Sequence, residues 1–136
     1  GLEYTFGANA IVVAAPEDKM ADLRHSTRAF MRGNVLYIAA LRTYVGKVQA
    51  VASLLYALRP FCAELWAALQ APREGAPYGA VWTKRIFHTL AWIRAFLTMT
   101  GEGPLTRTFS VKSYFEPAQQ VRITTDASPF GIGGWL

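Results

Sequence analysis

The sequence predicts an α+β fold in which helix dominates. Three observations carry that expectation. Apolar residues recur at three-four spacing through most of residues 17 to 100, two β-rich runs flank Gly7-Ala8-Asn9 near the start, and a β-branched run precedes a glycine-rich one near the end. Of the 136 residues 52% are hydrophobic and 13% aromatic, which is enough to bury a core and excludes a disordered chain.

The elements follow in order. Tyr4-Thr5-Phe6 and Ala10-Ile11-Val12-Val13 around Gly7-Ala8-Asn9 predict a β-hairpin within residues 1–15. Pro16, then Glu17 and Asp18, opens a helix, because proline suits its first turn and carboxylates suit its positive end. That helix should run to Arg32, turning Met20, Leu23, Thr27, Phe30 and Met31 inward and Lys19, Arg24, Arg28 and Arg32 outward. Gly33 should stop it, and Asn34 should cap the next. From Leu36 to Leu58 a long helix is expected, with Leu41, Tyr44, Val45, Val48, Val51, Ala52, Leu55 and Leu58 facing the core. Arg59-Pro60 breaks it and starts another, Pro60 to Ala71, presenting Phe61, Leu65, Trp66 and Leu69. Residues 71–77 read as a loop by their proline and glycine content. A last helix, Ala80 to Thr100, carries Trp82, Ile86, Leu90, Ile93 and Leu97 on one side. Residues 105–119 give no firm pattern, although Phe109 and Val111 suggest a short extended stretch. Val121 to Thr125 is of strand type, and a second strand starts at Gly131.

The charge is +5, from fourteen Lys and Arg against nine Asp and Glu. Ten of the bases are Arg, whose planar fork suits phosphate. A nucleic-acid partner and a merely soluble surface both fit that balance. Cys62 is the only cysteine, which excludes an internal disulfide and fits a reducing compartment, cytoplasm or nucleus. No Cys/His spacing resembles a zinc site. The most apolar stretch, Val35 to Leu58, contains Arg42 and Lys47, so no membrane span and no membrane partner are expected. Gly1 is followed by no charged-then-apolar leader, and the sequence reads as a segment of something longer.

Two motifs bear on chemistry. The first is Val121-Arg122-Ile123-Thr124-Thr125-Asp126-Ala127-Ser128, followed by Gly131-Ile132-Gly133-Gly134-Trp135. It resembles the opening of the RNase H fold, and the resemblance implies that Asp126 is a metal ligand at the end of the first strand. Two-metal phosphodiester hydrolysis needs several carboxylates around ions about 4 Å apart, so Asp126 alone is an incomplete site. Asp126 also reads as a plain turn residue, since Asp, Ser and Pro crowd together there. The glycine run has no following helix and no Lys-Ser/Thr pair, which argues against a phosphate loop.

The second motif is Leu41-Arg42-Thr43-Tyr44-Val45-Gly46-Lys47-Val48-Gln49-Ala50, with Leu58-Arg59-Pro60-Phe61 after it. A mid-helix glycine costs about 1 kcal/mol relative to alanine, so Gly46 invites a reason. It either lets a neighbouring helix approach or serves a ligand. The stretch is similar to the thumb of retroelement reverse transcriptases, where a Gly-Lys-hydrophobic helix precedes an Arg-Pro-Phe-type turn and lies along the minor groove of the template-primer duplex. The resemblance implies a groove face of Arg42, Gly46 and Ala50, with Lys47 and Gln49 at its edges and Arg42 within reach of a phosphate. Ala50 departs from the retroviral pattern, in which an aromatic residue often stands at this place.

Taken together, the motifs imply the end of a palm at residues 1–15, a helical thumb-like domain at 16–101, a connection at 102–119, and the first strands of a truncated RNase H-like domain at 120–136. They imply a polyprotein that copies RNA into DNA and degrades the RNA strand. Its partners would be an RNA–DNA hybrid or DNA duplex, held by backbone contacts, and the remaining palm and RNase H segments. Mg2+ belongs to the parent enzyme, and the isolated chain is expected to be inactive and to hold no cofactor. The competing class is a helical protein-interaction or scaffold module without nucleic-acid function. Trp66, Trp82 and Trp92 read as core or interdomain packing, Trp135 as packing against further parts of its own domain, His25 and His88 as non-catalytic, and Cys62 as a small buried hydrophobe.

Overall fold

A computed structural model describes residues 2–70, 75–115, 124–128 and 131–135, the last two segments by their backbone. β1 (Glu3–Phe6) and β2 (Ala10–Ala15) form the expected antiparallel hairpin, Glu3 opposite Ala14 and Phe6 opposite Ile11. The Gly7 N–H donates to the Ala10 carbonyl at 2.8 Å and closes its turn. β2 alone sends side chains into the core, burying Val13 and Ala15, while β1 is exposed along its length.

α1 (Glu17–Arg32) has the bounds read from its local signals. It buries Met20, Leu23 and Thr27. The Thr27 hydroxyl donates to the Leu23 carbonyl at 2.7 Å and lies 2.7 Å from the Tyr44 hydroxyl, so neither buried oxygen is orphaned. Burial pushes the Tyr44 phenol well above its usual range, and Phe30 meets its ring edge-on at 5.0 Å. One assignment changes. Arg24 does not point freely outward: it donates to the Leu97 carbonyl at 3.3 Å, to the Gly101 carbonyl and to Glu17 at 3.2 Å.

Asn34 does not cap the next helix, because a short strand intervenes. β3 (Val35–Tyr37) precedes α2 (Ile38–Ala52) and pairs antiparallel with β4 (Ala80–Trp82), Val35 opposite Trp82 and Tyr37 opposite Ala80. The expected long helix therefore starts later, and it also ends earlier. The Ser53 hydroxyl donates to the Ala50 carbonyl at 2.7 Å, competing with the helical ladder, and Leu55 leaves helical geometry at φ −106°, ψ 87°. A 3-10 turn, Tyr56–Leu58, leads into α3 (Arg59–Gln70). The helix expected from Ala80 likewise begins as β4, passes through a 3-10 turn at Thr83–Arg85, and becomes α4 at Phe87–Met99.

β5 (Leu105–Ser110) is longer than the sequence suggested and completes a sheet of order β1-β2-β5, with Ala10 opposite Ser110 and Ala15 opposite Leu105. A single turn, α5 (Lys112–Phe115), follows. β6 (Thr124–Ser128) and β7 (Gly131–Trp135) form a separate antiparallel hairpin. Residues 71–74, within the expected loop, and 116–123, which include the start of the expected strand at Val121, lie outside the described residues.

The core lies between the four long helices and the inner face of β2. Leu41, Val45 and Val48 of α2, Leu65 of α3, and Leu90, Ile93 and Leu97 of α4 are essentially solvent-free. Burying side chains of this size contributes about 1.5–3 kcal/mol each. α2 packs against both α1 and α3. Its exposed face carries the predicted site. The architecture is α+β with helix dominant, as expected.

Candidate nucleic-acid interface

Arg42, Gly46, Lys47, Gln49 and Ala50 are all exposed, while Leu41, Tyr44, Val45 and Val48 between them are buried. The helical period alone brings this about, since residues four apart share a face. Gly46 and Ala50 face a groove of about 440 Å³ together with Lys19, Asp22, Thr43 and Lys47. A methyl group built on Gly46 would meet nothing within 4 Å. No described neighbour needs a glycine there, so close approach of another helix is not its reason.

The cations differ in availability. The Lys47 ammonium lies 2.7 Å from an Asp22 carboxylate oxygen, both side chains about half-exposed. Asp22 therefore offsets much of the charge Lys47 would offer a phosphate. Such a surface pair stabilises the fold by only about 0–1 kcal/mol. Arg42 has no ion pair or hydrogen bond among the described residues. Gln49 turns toward α3, where its side-chain oxygen accepts from the Trp66 indole N–H at 3.3 Å. It shares a depression of about 430 Å³ with Ser53, Arg59 and Trp66.

Tryptophan is more exposed than the helical spacing implied. Trp66 is 38% exposed and Trp92 57%, so neither is a core residue; Trp82 is half-buried. Trp92 stacks with Phe61 at 6.1 Å and Phe96 at 6.0 Å, an aromatic patch between α3 and α4. His25 and His88 are exposed. Cys62 is buried, and burial pushes its thiol above the usual range, which suits a small hydrophobe.

Asp126 stands at the middle of β6 opposite Gly133, rather than at a strand end or in a turn. Thr125 faces Gly134. Among the described residues no three His, Cys, Asp or Glu side chains gather as a metal site. One carboxylate on a strand cannot clamp both oxygens of a phosphodiester displacement. No described helix is long and apolar enough to cross a membrane.

Sequence reasoning missed a second basic cluster. Arg59 stands in the sequence only as a helix break and as part of the Arg-Pro-Phe turn, and Arg107 lies in the stretch without a pattern. Both sit on Tyr56, 4.2 and 4.1 Å from its ring centroid. The Tyr56-to-Arg59 spacing was visible as an i, i+3 pair, but Arg107 reaches it only because β5 docks on β2. Comparison with family models, curated proteins and solved structures found no match to this chain.

Proposed function

We propose that the chain is the thumb and connection of a retroelement reverse transcriptase leading into an RNase H-like domain, and that it grips the template-primer duplex. The observation that carries this reading is the exposed stripe Arg42, Gly46, Ala50 on α2, flanked by Lys47 and Gln49, with an open glycine at its centre. A helix face without a Cβ at its midpoint allows a duplex to come close, and Arg42, without an ion pair among the described residues, offers a fork to its phosphates. Asp126 in a strand facing a glycine-rich partner fits the opening of an RNase H sheet. Under this reading the Mg2+ chemistry belongs to the complete parent enzyme, and this chain contributes grip rather than catalysis. An intracellular setting goes with it.

A salt series tests the grip. The R42A/K47A variant should lower the slope of log affinity against log salt for an RNA–DNA hybrid by between one and two, with most of the loss owed to Arg42. An unchanged slope removes both residues from the interface.

One observation favours the competing class, a helical protein-interaction module: the exposed Trp92 ring, stacked on the half-buried rings of Phe61 and Phe96. A protein partner whose binding is lost on Trp92→Ala, with no salt-dependent hybrid binding by the intact chain, would decide for it.

A further inference from the structure

Depressions on this surface differ in what lines them. The groove beside Gly46 holds Asp22 as well as its lysines, and the hollow around Arg24 holds Glu17 and Glu102. The depression between α2 and α3, about 430 Å³, has Arg59 and no carboxylate among its lining residues. Ala52 and Cys62, both buried and small, form its floor, and Ala63 lies exposed beside them. Trp66 walls it two helical turns from Arg59, about 10 Å along α3 at 1.5 Å per residue. A concave site of this size, mostly apolar with a few polar groups at fixed places, has the make-up of a small-ligand site.

The groups at its two ends are held in place. The Trp66 indole N–H donates to Gln49 at 3.3 Å, so its one polar atom is satisfied within the chain and what it offers the depression is apolar ring. The Gln49 amide N–H groups donate to no acceptor among the described residues and lie at the same end. At the other end the Arg59 guanidinium rests 4.2 Å from the centroid of the Tyr56 ring and meets no carboxylate among the described residues. Tyr56 thus restrains a long side chain without neutralising its charge.

A matching ligand has a flat apolar body, an acceptor near Gln49 and an anionic group two turns away at Arg59. We infer that this depression binds one unpaired nucleotide of a single strand, its base laid against Trp66 and its phosphate on Arg59. Bases stack on aromatic rings whatever their sequence, and an arginine fork fits phosphate oxygens. The Gln49 amide donates to the edge of the base. This site goes beyond the duplex grip and does not rest on it, since a paired base is stacked inside its helix and has no free face for Trp66.

The test is anisotropy of a labelled oligothymidylate with the whole chain. Trp66→Ala should weaken binding about tenfold, the scale of one base stacked on an aromatic ring. R59Q should lower the salt slope by about 0.7, the value for one phosphate of a single strand. An abasic strand of equal length should bind the intact chain about tenfold more weakly than the oligothymidylate does. Full-strength binding by the abasic strand, or unchanged affinity in a folded Trp66→Ala chain, overturns the site. Should Trp66→Ala fail to fold, Ala63→Leu decides, because the position is exposed, leucine suits a helix and its side chain would fill the depression. Weaker binding in that variant supports the site, and unaltered binding overturns it. Thymidine 5′-monophosphate separates a free nucleotide from a strand: displacement of the label at equal nucleotide concentration would overturn the strand half. Equal displacement by polyglutamate of the same charge would make this a site for acidic peptide and overturn the base contact. Single-strand binding that falls with Trp66→Ala, beside hybrid binding indifferent to R42A/K47A, keeps this site and sinks the α2 grip; the reverse pattern sinks this site alone.

Discussion

The two shoulders of α2 use their basic residues differently. On the α1 side, Lys47 is held by Asp22 at 2.7 Å, and Arg24 is committed to the carbonyls that end α4. On the side leading to α3 and β5, Arg59 and Arg107 share an aromatic ring and meet no carboxylate among the described residues. Net charge hides that contrast. A cation already satisfied by its own chain supports the fold, and only one left without a counter-charge can do work on a partner.

Breaking the satisfied shoulder should give the largest effect. Arg24→Ala removes charged hydrogen bonds to two carbonyls and should lower stability by about 1.5–3 kcal/mol in urea unfolding. Hybrid affinity per folded molecule should not change; a loss there would make Arg24 a contact as well. Next, Gly46→Ala removes the helix-propensity cost in open space and should raise stability by about 1 kcal/mol. The same change should weaken hybrid binding if the glycine admits a duplex. A variant that is more stable and binds equally well would leave Gly46 without a ligand role. The smallest effect belongs to Asp22→Asn, which frees Lys47 and should steepen the salt slope by about one or less. A slope that stays put would mean that Lys47 lies off the path of the phosphates.

How much of this was legible in the sequence depends on how local each determinant is. α1 matched from end to end because Pro16, Glu17, Asp18 and Gly33 are signals carried by neighbours in the chain. The stripe on α2 was equally legible, since it needs only the helical period. Val35–Tyr37 and Ala80–Trp82 were misread as helix because each is a three-residue apolar run whose strand identity comes from the other. Trp66 and Trp92 sit at core-like spacing, yet they fall at the margin of their helices' buried faces, which no single-helix pattern resolves. Asp126 was assigned to a strand end, and the pairing with Gly133 moved it to mid-strand. The Arg107 contact needed knowledge of the β2–β5 register and was out of reach.

That register has a consequence for how the molecule assembles. β2 is the middle strand of its sheet, but its second neighbour is made from the far side of the helical region. During synthesis the hairpin must wait with one rim open until the four long helices have emerged. Loop-closure entropy grows slowly with length, so the delay is kinetic more than thermodynamic. In that interval Ile11, Val12 and Val13 present an uncapped ladder, which makes the nascent chain most prone to mispairing between copies just before Leu105–Ser110 arrives.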